Sequence, residues 1–241
     1  MKTEADNIRI KLIENAEDFL KLQDAWKDIL EKSQANFPFL TFEWLYNWWK
    51  YFGKDKRLFI LTANENDNGQ PHAIAPFMLV KSAGLRIIQF IGTGRSDYLG
   101  FIIKDRIDDT IRAFFEFLNK NKKMWDIVFL SDILPINSNI KRLSAAAKSA
   151  GWGACFRHYY DSPYIQINGD WQEFLSSKSS NFRYTLNRKE KYLKKQGIEL
   201  KVCQLNSETL NHDFFKDMVE IEKNSWKVES GTPNMQEKAA Q

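Results

Sequence analysis

Asp97 and Tyr98 stand side by side in a polar loop, and a carboxylate next to a phenol is a pair with chemistry in it. The carboxylate can orient an amine or hydroxyl, and the phenol can give a proton to a departing thiolate. The plainer alternative is that Asp97 caps the loop and Tyr98 packs its ring. Just upstream, Gly92-Thr93-Gly94 leaves backbone N–H groups uncovered by side chains, as close approach to a phosphate requires. A phosphate cradle also needs a helix N-terminus directly behind it. None is expected there, because the next helical pattern starts near Ile107 and Asp97 adds a repelling negative charge. Gly92 and Gly94 are therefore cofactor-loop candidates whose context favours a tight structural turn or a pocket for another ligand. Arg95, in the same loop, is a candidate substrate contact.

Trp44, Trp48 and Trp49 cluster on one expected helix. Trp44 and Trp48, at i and i+4, share a face, while Trp49 turns aside. Core packing is one reading; a platform for stacking a sugar or acyl group, with Trp44 as the contact, is the other. Between Lys178 and Lys201 the chain carries Lys178, Arg183, Arg188, Lys189, Lys191, Lys194, Lys195 and Lys201 against Glu190 and Glu199. This is either a solvated basic face or a contact for an anionic substrate, for phosphates or for RNA. Arg183 leads the candidates, since a guanidinium grips phosphate or carboxylate in bidentate fashion, and Arg188 follows one and a half turns later.

His72, His158 and His212 fall on separate elements, with no Ser or Cys nucleophile motif beside them. Two cysteines, Cys155 and Cys203, form no CxxC pair, so neither a structural zinc site nor a disulfide framework is expected and no metal site is assigned. Cys155 is expected buried in a strand. A net charge of +4 is too mild for a dedicated nucleic-acid binder. The opening MKTEADNIRIK lacks the apolar core of a signal peptide, and no apolar run approaches the roughly 18–20 residues that span a bilayer. A cytoplasmic location is the expectation. Eighteen Phe, eight Trp and eight Tyr predict a bulky core.

The elements that must position these residues follow from periodicity. Alternation predicts a strand over Ile8–Ile13. Phe19, Leu22, Trp26, Ile29 and Leu30 form the core stripe of a helix over Ala16–Ser33. Thr41 caps a second helix, Phe42–Phe52, and Gly53 ends it. Arg57–Ala63 and His72–Val80 are strands joined through the polar turn 64–69, and Leu85–Ile91 is a third. After the glycine loop come a short strand, Leu99–Ile103, and a helix, Ile107–Asn121, with Ile111, Phe114, Phe115 and Leu118 inward. Asp126–Leu130 is expected as a buried strand. A helix starting at Asn137 or Ser138 runs to Ala150, and Ala154–Tyr160 and Tyr164–Ile167 are two closing strands. Beyond Asp170 come a short helix Trp171–Ser177, the basic helix Ser179–Gln196, a strand Ile198–Val202 and a helix Phe214–Val228. Interleaved helices and strands predict an α/β fold: a mixed central sheet with helices on both faces.

Several local sequences arrive in a series. These are Phe39-Leu40-Thr41-Phe42-Glu43-Trp44, Ala73-Ile74-Ala75-Pro76-Phe77, Phe90-Ile91-Gly92-Thr93-Gly94-Arg95-Ser96-Asp97-Tyr98, Ser162-Pro163-Tyr164 before Asp170-Trp171-Gln172-Glu173-Phe174-Leu175, and Asn181-Phe182-Arg183. Together with the element order they resemble the CelD-like GNAT N-acyltransferases, named for an association with cellulose biosynthesis and distantly similar to Fem-type aminoacyl transferases. The resemblance implies a first GNAT-like lobe over 1–168, basic linker helices over 169–197 and the opening of a second lobe over 198–241. It implies transfer from acetyl-CoA or another acyl-CoA to an amine, the acceptor being a small molecule or a polysaccharide or cell-envelope precursor. Gln89 to Gly94 matches the residue pattern with which GNAT proteins hold the CoA pyrophosphate, yet lacks its helix. The cofactor site is accordingly expected mostly beyond Gln241, and the chain alone is expected to have little activity. Aminoacyl-tRNA-dependent transfer and a non-catalytic binding module are the rival expectations.

Overall fold

The computed structural model describes residues 8–65, 69–134, 139–202 and 212–231. The tip of the 64–69 turn, the expected helix start at Asn137 or Ser138, Cys203, the polar tail and the side chain of His212 lie outside the described residues. The chain divides into two units, Met1–Tyr160 and Asp161–Gln241.

The first unit is a mixed α/β structure. Its order is β1 (Arg9–Ile13), α1 (Ala16–Leu20), α2 (Gln23–Lys32), α3 (Phe42–Phe52), β2 (Arg57–Leu58), β3 (Ile60–Asn64), β4 (Pro71–Ala75), β5 (Phe77–Ser82), β6 (Leu85–Phe90), β7 (Ile102–Ile103), α4 (Ile107–Lys120), β8 (Ile127–Val128) and α5 (Asn139–Ser149). One central sheet is expected from the sequence; the described residues form two four-stranded sheets instead, β1-β3-β4-β7 and β2-β5-β6-β8. The first is antiparallel throughout, and the second ends in a parallel pair, β6 with β8.

Pro76 explains the division. The expected single strands Arg57–Ala63 and His72–Val80 are each split, at Phe59 and at Pro76. Phe59 still donates its N–H to the Phe77 carbonyl at 3.1 Å, so one long hairpin runs through both sheets. On its returning arm β4 pairs with β7, whereas β5 pairs with β6. Proline has no N–H to give a ladder, and it sits where the neighbour changes. Its carbonyl accepts from Ile91 N–H at 2.8 Å, the last bond before β6 leaves the hairpin.

The core is aromatic, as the composition demands. Phe19, Trp26, Phe59, Phe77, Phe90 and Phe114 are fully buried. Phe101 lies 5.6 Å from Phe77, 5.5 Å from Phe90 and 5.9 Å from Phe114, ring centre to ring centre. Trp26 satisfies its indole N–H on the Leu40 carbonyl at 2.8 Å, which ties α2 to the 3-10 turn Pro38–Leu40. α2 lies against β4 and β7, and α4 against β1 and β3. The expected helix Ala16–Ser33 is broken: Leu22 N–H bonds the Phe19 carbonyl, an i→i+3 turn that ends α1 before α2 begins.

β8 is shorter and wetter than the expected buried strand. It spans Ile127–Val128, and Ile127 is exposed. Arg86 holds it in place: Nε and Nη2 grip the two carboxylate oxygens of Asp126 at 3.0 and 2.8 Å. The Arg86 backbone N–H adds a third bond at 2.8 Å, and Asp126 N–H returns one to the Arg86 carbonyl. These bonds hold the Asp126 carboxyl down at about 2.

Three expected strands do not form. Ala154–Tyr160, Tyr164–Ile167 and Ile198–Val202 carry no regular structure and are exposed, with no ladder among the described residues. Their apolar side chains face water, Tyr164 at 86% and Val202 fully. Alternation registers a preference for a pleated surface, but a strand exists only with a neighbour to bond. Cys155, expected buried, is exposed for the same reason.

The second unit is helical: α6 (Trp171–Ser176), α7 (Ser180–Lys195), α8 (His212–Lys223) and α9 (Trp226–Glu229). Asp170 and Glu173 form a reciprocal capping box at the start of α6. Gly197, at φ +68, ends α7, with Ile198 N–H on the Leu193 carbonyl and Gly197 N–H on the Lys194 carbonyl, a Schellman arrangement. Val219 is the sole buried apolar side chain among its described residues. No described helix is long and apolar enough to cross a membrane.

Candidate functional site

The site candidates of the first unit meet on one loop, residues 92–101, which connects β6 to β7. Two successive turns shape its start. Thr93 N–H and hydroxyl both reach the Phe90 carbonyl, at 3.3 and 2.8 Å, and Arg95 N–H bonds the Gly92 carbonyl at 3.1 Å. Gly92 has φ +103, and a Cβ there would lie 2.7 Å from Ser96 Oγ. Gly94 has φ +86 with open space around it. The N–H groups of Thr93 and Arg95 are thus spent on the loop's own carbonyls, and α4 begins only at Ile107. The loop has neither free donors at these positions nor the helix dipole that a pyrophosphate uses.

What the loop does present is aromatic. Ser96 is buried and accepts the indole N–H of Trp44 at 2.9 Å, joining the loop to α3. Trp44 is exposed and meets Phe39 edge-on at 5.1 Å. Phe39 in turn meets Tyr98 at 6.1 Å, and Phe37 lies 5.6 Å from Tyr98. Arg95 lies 4.6 Å over the ring of Phe52, at the far end of α3. Asp97 is exposed between the buried Ser96 and the half-buried Tyr98. Trp44 and Tyr98 are therefore linked through the ring of Phe39, and Asp97 is the exposed residue beside Tyr98 in the chain.

The tryptophan cluster divides differently from the i, i+4 expectation. The buried stripe of α3 is Phe42, Leu45 and Trp48, so Trp48 is core and Trp44 is surface. Trp49 is half-buried.

Behind Tyr98 lies a slot of about 60 Å³ that the sequence did not flag. Leu40, Leu99, Ile103, Ile111 and Leu143, all buried, form its floor. The less buried lining includes the polar Gln34, Tyr98 and Asn139 beside the apolar Phe37, Ile107 and Leu134. No charged side chain lines it. The residues come from the segment after α2 with its 3-10 turn, from the loop and β7, from α4, from the stretch at Ile133–Leu134 and from α5, and each taken alone is an ordinary position. No local signal marks such a set; Tyr98 is its one member with a sequence motif beside it.

The second unit carries Arg183 and Arg188. Arg183 Nη1 reaches the carbonyls of Leu175, Ser176 and Lys178, at 3.4, 3.3 and 2.5 Å. It closes the C-terminal end of α6, where orphan carbonyls favour a cation. Arg188 is exposed on α7. His72, in the first unit, is buried, with Nε2 3.1 Å from Thr110 Oγ1 and Nδ1 unpartnered among the described residues. Burial pulls its pKa below the ordinary value, against the opposing pull of Asp105. Among the described residues no three His, Cys, Asp or Glu side chains gather closely enough to hold a metal ion.

Models of known families, curated proteins and solved structures were all compared with the chain, and none matches it.

Proposed function

We propose that this chain serves an acyl-CoA-dependent N-acyltransferase, and that its first unit holds the amine acceptor at Trp44, Asp97 and Tyr98. The observation that carries the reading is the slot behind Tyr98: its phenol borders an uncharged, largely apolar slot, and the exposed Asp97 is the next residue along the chain. Asp97 would attract the ammonium form of the acceptor, and Trp44 with Phe39 would stack its apolar face. In the transfer the amine nitrogen bonds to the thioester carbonyl carbon and the carbon–sulfur bond breaks. The bound ammonium first gives one proton to water, which frees the nitrogen lone pair for attack; after attack the nitrogen gives a second proton to Asp97 or water, and the thiolate takes one from Tyr98, whose phenolate regains a proton from solvent. Positioning carries such a direct transfer, and no covalent enzyme intermediate is needed. The glycine loop is left as a structural turn, with the donor's CoA held elsewhere.

Saturation-transfer NMR with amino sugars and simple alkylamines tests this. Amine binding is expected, weakened by Trp44→Ala up to about tenfold, the worth of one aromatic contact. Asp97→Asn is expected to weaken it at most about fivefold, because Asp97 is exposed. Absence of amine binding, or binding indifferent to both changes, defeats the reading. Acetyl-CoA calorimetry is the companion measurement: tight binding abolished by Gly94→Asp would return the cofactor to the glycine loop.

A second reading draws on α7, where Tyr184 and Tyr192 are exposed among basic residues. Aromatic and basic side chains interleaved in this way suit a nucleic-acid strand. A steep fall of tRNA binding with salt supports tRNA-dependent transfer, and the absence of tRNA binding removes it.

A further inference from the structure

The slot behind Tyr98 is a built feature of the first unit, not a gap on one element. Its floor of five buried aliphatic side chains comes from four separate segments. Protein interiors rarely leave a void larger than a water molecule. This one is bordered by Gln34, Tyr98 and Asn139, which together offer amide N–H, amide carbonyl and phenol groups. Asn139 Nδ2 reaches the Leu134 carbonyl at only 3.4 Å, so its amide is loosely held. Three neutral polar groups in an otherwise apolar, uncharged lining suit a neutral polar head on a short apolar tail.

We infer that the slot is a binding site for a short, unbranched N-acyl group, its amide at these polar groups and its alkyl end on Leu143 and Ile111. The size sets the limit. A dry cavity of about 150 Å³ takes benzene; this one, at about 60 Å³, takes a tail of two to three carbons and rejects a ring. The inference deepens the acyltransfer reading by naming the acyl class, and it rests on that reading only for its biological use.

The test is a titration of the intact chain with N-methylacetamide, N-methylpropionamide, N-methylbutyramide, N-methylhexanamide and N-methylbenzamide, read by methyl NMR of the Ile and Leu side chains. Affinity is expected to rise about fourfold per methylene until the slot is full, then to fall for the hexanoyl and benzoyl compounds. Shifts are expected to concentrate on Ile103, Ile111 and Leu143. Leu143→Phe fills the slot and is expected to abolish binding, and Leu143→Ala enlarges it and is expected to move the preferred tail to a longer chain. Both variants are checked for folding by circular dichroism, and the alanine variant keeps the test decisive if the phenylalanine variant unfolds. Affinity that ignores chain length, or a length preference that Leu143→Ala leaves in place, overturns the inference. Amino-sugar binding measured on the same samples separates the outcomes: its survival with no amide binding sinks the slot alone, and its loss with amide binding intact sinks the acceptor reading alone.

Discussion

Replacing Gly92 by alanine sets a methyl group 2.7 Å from Ser96 Oγ, 2.9 Å from Leu99 Cδ2 and 3.1 Å from Leu45 Cδ2. None of these neighbours can retreat easily. Leu45 and Leu99 are buried, and Ser96 is buried and held by the Trp44 indole. The backbone adds its own cost, since φ +103 is foreign to residues with a Cβ. Left-handed strain costs about 1–2 kcal/mol, and forcing a methyl into a packed site costs about 1–3 kcal/mol more. A less flexible unfolded chain gives back about 0.4–1 kcal/mol. The net expectation is a loss of about 2–4 kcal/mol, or roughly 6–12 °C in Tm for a unit of this size. Gly94→Ala is the internal control. It shares the positive φ but meets nothing within 4 Å, so its expected loss is about 1 kcal/mol or less. Thermal unfolding by circular dichroism reads both, and amine titration reads whether displacing Ser96 disturbs Trp44. Equal losses for the two variants, or a neutral Gly92→Ala, would refute the claim that Gly92 is fixed by close approach.

Trp26→Phe strands the buried Leu40 carbonyl and leaves a small void, so urea unfolding is expected to show a loss of about 2–4 kcal/mol. His72, held below its ordinary 6.5 by burial, binds fewer protons folded than unfolded. Stability is therefore expected to be complete above about pH 6.5 and to decline as the pH falls below it, while His72→Phe flattens that decline; parallel declines would show the wrong residue was chosen. Arg183→Lys keeps the charge but cannot reach three carbonyls at once, so amide exchange at the C-terminal end of α6 is expected to quicken; unchanged exchange would free Arg183 for a ligand role.

Helical periodicity was the most informative part of the sequence. Phe19, Trp26, Ile29 and Leu30 are buried as their spacing requires, and so are Ile111, Phe114, Phe115 and Leu118. The break between α1 and α2 was not legible, because Lys21 and Leu22 are good helix formers and the i→i+3 turn there answers to tertiary packing. The corner at Pro76 was legible in principle: a proline inside a strand pattern is a warning that one ladder stops. Trp44 and Trp48 were paired by spacing, yet the loop's Ser96 reaches only the outer one, and spacing carries no information about a partner 52 residues away. The failed strands teach the same lesson from the other side. Ile198, Leu200 and Val202 alternate as a strand should, but alternation does not supply a neighbour. Asp97 and Tyr98 were visible as a dipeptide; the slot behind them was not, since its walls converge only in three dimensions.

The corner at Pro76 has a consequence for how the site can change. The loop leaves one sheet where Ile91 bonds Pro76 and enters the other where Ile102 pairs with Ile74. Both stems are thus fastened within two residues of each other on the hairpin's returning arm, and Phe101 pins the returning stem among Phe77, Phe90 and Phe114. The segment between is mechanically a graft on a closed clasp. Its exposed positions, Gly94, Arg95 and Asp97, can be exchanged at little cost to the sheets beneath, since ends held together already carry most of the cost of closing a loop, whereas the buried Gly92, Ser96 and Leu99 anchor it. A scaffold that separates what it clasps from what it displays can keep its architecture while its specificity is rewritten.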